Sequence, residues 1–90
     1  MTTDISLHIG GRLTARRLRM RFSLADVAQR CGVTLQQIHR YETGANTISA
    51  PMLWALSQCL EVDVAYFFDG LVVARPETIA PASGGRQSGR

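Results

Sequence analysis

Residues 24–41 read LADVAQRCGVTLQQIHRY, a pattern that two short helices meeting at a glycine turn would produce. Thr34 is placed to cap the second helix, and Gln37, three residues on, to return a bond to the cap, as in a capping box. The helix then starts at Leu35. At about 100° per residue Ile38 and Tyr41 share an inward face, whereas Gln36 and Arg40, one turn apart, fall within about 40° of each other on the opposite side. Glutamine and arginine carry the paired hydrogen-bonding groups that match the major-groove edges of adenine and guanine. The segment 35–41 therefore reads as a candidate recognition helix.

Working outward, Ser23 caps the first helix of the pair, with Asp26 as a capping-box partner at the positive helix end. Val27, Ala28 and Cys31 face inward. Ala28 is small enough for the next helix to cross closely over it, and Gly32 can take the left-handed conformation that ends a helix. Beyond Tyr41, Glu42-Thr43-Gly44-Ala45-Asn46-Thr47 is a polar loop in which Gly44 is a second such terminator and Asn46 a turn former. Ser49 caps a further helix with Pro51 in its first turn and a stripe of Met52, Leu53, Leu56 and Leu60. Asp63 caps a short fifth helix, residues 64–68, which Gly70 stops.

Upstream of Ser23, a first helix runs from a cap at Asp4 or Ser6 to about Arg21. Ile9, Leu13 and Met20 mark its core stripe, helped by Ala15 or Leu18. Gly10-Gly11 lowers helix propensity by about 1 kcal/mol per glycine relative to alanine, so the first turn is expected to be loose or to begin only after Gly11. The other face carries Arg12, Arg16, Arg17, Arg19 and Arg21, more cations than the nearby acids can pair. Some of them should face solvent or phosphate.

Ninety residues, 46% of them hydrophobic, make one small domain. Residues 1–70 are the expected packed part. Residues 71–90 begin with an apolar run, then turn to Pro76, Pro81 and SGGRQSGR, too polar to offset their ordering entropy. The last ten or so are expected to be disordered. With no apolar run near about 18 residues and no basic-then-apolar leader, a soluble cytoplasmic protein is expected. Cys31 and Cys59 are too few and too isolated for a disulfide scaffold, show no CxxC spacing for zinc, and read as buried apolar thiols. No cofactor is implied.

The placement of charge says more than its total of +3. Residues 1–47 hold seven arginines against Asp4, Asp26 and Glu42, whereas residues 48–70 hold Glu61, Asp63 and Asp69 with no base, and all ten cations of the chain are arginine. This polarity, with the candidate recognition helix in the basic half, fits a polyanionic partner. The blander alternative is a solvated charged face that binds nothing.

The spaced set Arg12-Leu13, Arg17, Phe22-Ser23, Val27-Ala28, Gly32-Val33-Thr34, Ile38, Tyr41-Glu42, Gly44, Ser49, Leu53, Leu56 and Leu60-Glu61-Val62 resembles the phage-repressor and Cro family of helix-turn-helix DNA-binding domains. The likeness runs from about Ile9 to Phe68. The stretch Leu35 to Asn46 looks like the branch of bacterial regulators whose recognition helix carries paired glutamines. The resemblance implies an all-α, five-helix, lambda-repressor-like domain that regulates transcription from double-stranded DNA, as a repressor in many members. It further implies base contacts from Leu35, Gln36 and Arg40 and phosphate contacts from Ser23, Thr34, Gln37 and Thr43. His39 projects near the same face and is a further phosphate candidate, while His8 reads as surface. Arg17 and Glu42 sit where the family has an interhelical ion pair. One position departs: the family often has a glutamine at the start of the second helix, and this chain has Leu24. Leu35, apolar where a polar base reader is common, either meets a thymine methyl or closes the core.

No serine–histidine–carboxylate or histidine–cysteine constellation and no glycine-rich phosphate loop supports an enzyme. The competing class is an antitoxin-like or anti-repressor module that uses the same fold to hold a second protein. After Leu56, Leu60, Val62, Val64 and Phe67 fill the core, Tyr66, Phe68, Leu71, Val72 and Val73 are left at one end. Such a surplus usually marks a partner surface, which here suggests a homodimer on a pseudo-palindromic operator with half-sites about 34 Å apart. The alternative folds Leu71 to Val73 back over the same subunit.

Overall fold

The computed structural model describes residues 3–71. Four α-helices, α1 (Thr3–Arg19), α2 (Leu24–Cys31), α3 (Leu35–Thr43) and α4 (Ala50–Leu60), are followed by a short 3-10 helix, η1 (Val64–Phe68). The fold is all-α. The fifth element is a 3-10 helix over the same residues that were expected to form a short fifth helix, but Asp63, expected to cap it, makes no side-chain capping bond. Five residues leave little room to close an α-helical ladder. The expected disorder of the last residues, and Val72 and Val73 of the apolar surplus, lie outside the described residues.

Helix α1 runs unbroken through Gly10 and Gly11, so neither the loose first turn nor the start at Asp4 or Ser6 is found. The reason is packing: a Cβ on Gly10 would lie 2.5 Å from the carbonyl oxygens of both Tyr41 and Glu42. Only a residue without a side chain lets α1 approach the last turn of α3 this closely. At its other end α1 stops at Arg19 because Arg21 takes a left-handed φ of 60°, with Phe22 N donating to the Arg17 carbonyl at 3.0 Å. Leu13 is fully buried, with Ile9 and Met20 packed beside it. Ala15 and Leu18 do not join that stripe and face outward; they lie about 160° and 140° around the helix from Leu13.

The core is closed by Val27 and Ala28 of α2, Ile38 and Tyr41 of α3, Leu53, Leu56 and Leu60 of α4, and Phe67 of η1. Helix α1 packs on α3 and η1, while α2 packs on α3 and α4. Helix α4 turns off at Glu61, which takes φ 58°, a conformation more usual for glycine. Trp54, on the outward side of α4, is 60% exposed. No described helix is long and apolar enough to cross a membrane.

The arginines of α1 are used unevenly. Arg12 Nε donates to the Tyr66 carbonyl at 2.9 Å, and Tyr66 Oη returns a bond to the Arg12 carbonyl at 3.2 Å. The same guanidinium lies 3.8 Å from the Tyr66 ring centroid, a favourable cation–π geometry. Arg16 Nε donates to the Leu60 carbonyl at 2.8 Å, satisfying an orphan acceptor at the end of α4. Arg19 and Arg21 are exposed. His8 is half-buried, its Nε2 2.8 Å from the Asp69 carbonyl.

Isolated in sequence, Cys31 and Cys59 meet in the fold. Both are half-buried free thiols. Burial pushes the Cys31 thiol up to about 11, and the neighbouring Cys59 thiol adds to the rise.

Candidate nucleic-acid interface

Helix α3 is fixed at both ends before any partner is considered. Thr34, in an extended conformation, accepts at Oγ1 from Gln37 N at 3.0 Å. The reciprocal bond from the Gln37 side chain is absent: its Nε2 donates instead to Tyr41 Oη at 2.9 Å. The Tyr41 ring is buried, and a buried phenol needs a polar partner, which the amide one turn back supplies. At the other end Gly44 takes φ 80°, and its N–H reaches the carbonyls of Arg40 and Tyr41.

The strongest brace is Glu42. Its Oε2 and Oε1 accept from Arg17 Nε and Nη2 at 2.6 and 3.1 Å, a bidentate pair with side-chain exposures of 13% for the arginine and 7% for the glutamate. Arg17 Nη1 also donates to the Phe22 carbonyl at 3.0 Å. One guanidinium thus ties α1 to the end of α3 and to the loop before α2.

With Ile38 and Tyr41 buried, the opposite side of α3 presents Gln36, His39, Arg40 and Thr43, all exposed. Leu35 is 48% exposed, so it does not close the core. Gln37 is half-buried, and Thr43 Oγ1 donates to the Arg40 carbonyl at 3.2 Å. Leu24, where the resemblance would place a polar residue, packs against the core instead.

Helix α2 is fixed by a complete capping box: Ser23 Oγ accepts from Asp26 N at 3.0 Å, and Asp26 Oδ2 accepts from Ser23 N at 2.8 Å. The Ser23 backbone N–H, then its hydroxyl, hold the Asp26 carboxyl below the usual carboxylate range. A negative charge therefore already sits at the positive end of α2. The α2 terminator Gly32 has φ 73°. Sequence reasoning missed Arg30, whose guanidinium lies 4.4 Å from the Phe22 ring centroid; residues eight apart across a turn leave no periodic signal. Among the described residues no group of three or more histidines, cysteines or acids is placed to hold a metal.

Several known proteins are similar to this chain in sequence or in fold. An HTH-type transcriptional regulator from Sinorhizobium medicae is 38% identical over 65 residues, spanning 72% of this chain and 47% of that protein. A transcriptional regulator encoded in the ATPase CF(0) region of Rhodospirillum rubrum is 39% identical over 67 residues, 74% of this chain and 62% of its own length. The chain spans about half the length of the Sinorhizobium relative it matches. Among solved structures, an HTH_3 family transcriptional regulator from Vibrio cholerae superposes with a TM-score of 0.70 at 25% identity, over 76% of this chain and 38% of that one. The clp gene regulator ClgR from C. glutamicum shares the fold, with a TM-score of 0.69 at 18% identity over 78% of this chain and 96% of its own. A family model described as helix-turn-helix matches residues 13–67, from the buried Leu13 of α1 to the buried Phe67 of η1, and the chain belongs to that family of Cro/C1-type domains.

Proposed function

We propose that this domain binds specific double-stranded DNA as a bacterial transcriptional regulator, with α3 in the major groove. The observation that carries the reading is the geometry of α3: Gln36 and Arg40 stand exposed one turn apart on a helix whose opposite side is buried and whose two ends are capped. In this reading Gln36 and Arg40 address base edges and Leu35 meets a thymine methyl. Ser23, Thr34, Gln37, His39 and Thr43 lie against phosphates, and repression follows from occupancy of an operator. Cytoplasmic residence and the absence of catalysis belong to the same proposal.

A homodimer completes it, because one short helix reads few bases and two copies would read a pseudo-palindrome with half-sites about 34 Å apart. Of the C-terminal apolar surplus, Phe68 is 40% exposed and offers the contact, while Tyr66 is already engaged by Arg12. Sedimentation of the intact chain, with and without duplex, measures the stoichiometry; a single copy per operator would overturn the dimer.

Titration with a random duplex pool at a series of salt concentrations tests the DNA reading itself. Log affinity should fall linearly with log salt, with a slope set by the number of phosphates neutralised, and a short palindromic motif should be enriched. Absence of any salt-dependent duplex binding would sink the reading and favour the antitoxin-like or anti-repressor module.

A further inference from the structure

Arg12, Arg16 and Arg19 recur at i, i+4 and i+7 along α1 and, together with Ala15 and Tyr66, line a cleft of about 350 Å³. They lie on a flank of their own. At about 100° per residue they stand roughly 100° to 160° around α1 from Arg17, the residue that faces α3 through Glu42. Gly10, the other point where α1 meets α3, is still further from them around the axis. The cleft and the exposed side of α3 are therefore separate features of the domain.

Two of the three guanidiniums are held from behind. Arg12 Nε is bonded to the Tyr66 carbonyl and Arg16 Nε to the Leu60 carbonyl, and Arg12 is also stacked on the Tyr66 ring. Each guanidinium has five N–H donors in a fixed fork, so pinning the Nε edge orients the Nη donors without using them up. Among the described residues one carboxylate approaches the cluster: Asp69 Oδ2, 3.5 Å from Arg12 Nη2, on a side chain that is 77% exposed. Arg16 and Arg19 have no ion-pair partner among the described residues. Ala15, which presents only a methyl group, leaves open the space that the arginines surround.

Three cations, two of them immobilised, around an open space with one loosely held acid form a receptor for an anion whose oxygens accept in pairs. We propose that this cleft binds a small oxyanion-bearing ligand, a phosphoryl or carboxylate group, at a site distinct from the exposed side of α3. The entropy of ordering Arg12 and Arg16 is lost on folding rather than on binding, so the ligand meets a preformed site. Since the arginines join α1 to η1 and to the end of α4, an occupied cleft also raises the stability of the fold by mass action. The inference does not depend on the DNA reading.

The test is NMR of the intact chain, following the Arg Nε–H resonances at constant ionic strength while sodium chloride is replaced by inorganic phosphate, by pyrophosphate or by citrate. Saturable shifts at Arg12, Arg16 and Arg19, with Arg21 and Arg30 unmoved, are expected, along with a rise in Tm. Arg19, which makes no side-chain hydrogen bond among the described residues, can be changed without disturbing the fold. Arg19→Gln should weaken binding about tenfold, the effect of losing one charge-assisted contact. Arg16→Lys keeps the charge but loses the fork, and should weaken binding as well. Comparison of the phosphate and citrate arms assigns the ligand class. Unsaturable shifts shared equally by Arg21 and Arg30 would mean general counter-ion attraction and overturn the proposal, as would no shift at all. Saturation of the same three arginines by a short DNA duplex, and by none of the small anions, would make the cleft part of a DNA surface and equally overturn it.

Discussion

Gly10 of α1 lies so close to Glu42 of α3 that a Cβ added to it would sit 2.5 Å from the Glu42 carbonyl oxygen. A Cβ on Gly11, its neighbour, would meet nothing within 4 Å. Two adjacent glycines in one helix should therefore respond in opposite directions. Gly11→Ala should stabilise the domain by about 0.5–1 kcal/mol through helix propensity. Gly10→Ala should cost about 1–3 kcal/mol or more, because backbone must move to admit the methyl group. Denaturant unfolding of both variants checks this, and equal effects would mean that the helices are not in contact there.

Removing one partner of the Arg17–Glu42 pair leaves a largely buried charge without compensation. Glu42→Ala should cost about 3–5 kcal/mol, and replacing both residues with apolar ones of similar size should recover much of that. Thermal melts of the single and double variants measure it. An unchanged Tm for Glu42→Ala would place the carboxylate in solvent.

Arg40→Ala or Gln36→Ala should cost about 1–3 kcal/mol of discrimination at one base position, whereas Thr43→Ala should weaken all duplexes alike. Competition between an enriched operator and a random duplex separates the two classes. Equal losses on both duplexes for Arg40→Ala would rule out base reading by that residue.

The Cys31 thiol holds its proton to about pH 11 against an ordinary value of 9.0. Alkylation of Cys31 at pH 8 should thus be about 100-fold slower in the native chain than in the unfolded one, since only the thiolate reacts. Between pH 9 and 11 the folded state keeps a proton that the unfolded state releases, so this contribution to stability is fully present below pH 9 and is lost as pH rises toward 11. Mass spectrometry after a timed alkylation pulse gives the rate. Equal rates in the native and unfolded chains would show the thiol to be unprotected.

What could be read from the sequence was whatever is decided within about four residues. The hydroxyls of Ser23, Thr34 and Ser49 cap the helices they precede. Gly32 and Gly44 are left-handed where the chain must turn, and Ile38 and Tyr41 are buried by the helical period. The outward placement of Gln36 and Arg40 follows from the same period. What could not be read depends on groups brought together from far apart. Gly10 looked like a helix breaker because its reason for being glycine lies in α3. Arg12 and Arg16 looked like unpaired cations because their acceptors are the carbonyls of Tyr66 and Leu60, 54 and 44 residues away. Gln37 looked like a capping-box residue because the need of the Tyr41 phenol competes only once the ring is buried. The Arg17–Glu42 pair, also long-range, was reached through family resemblance and not from the spacing.

Trp54 is the chain's single tryptophan, and it stands largely in water on α4. Its emission in the native state is therefore already close to that of a solvated indole, and melting the core around Leu13, Ile38 and Phe67 changes its surroundings little. Fluorescence from this residue will be nearly silent to unfolding. It will instead brighten, dim or shift with whatever comes to rest on the outward side of α4, which makes it a built-in optical probe for partners rather than for folding.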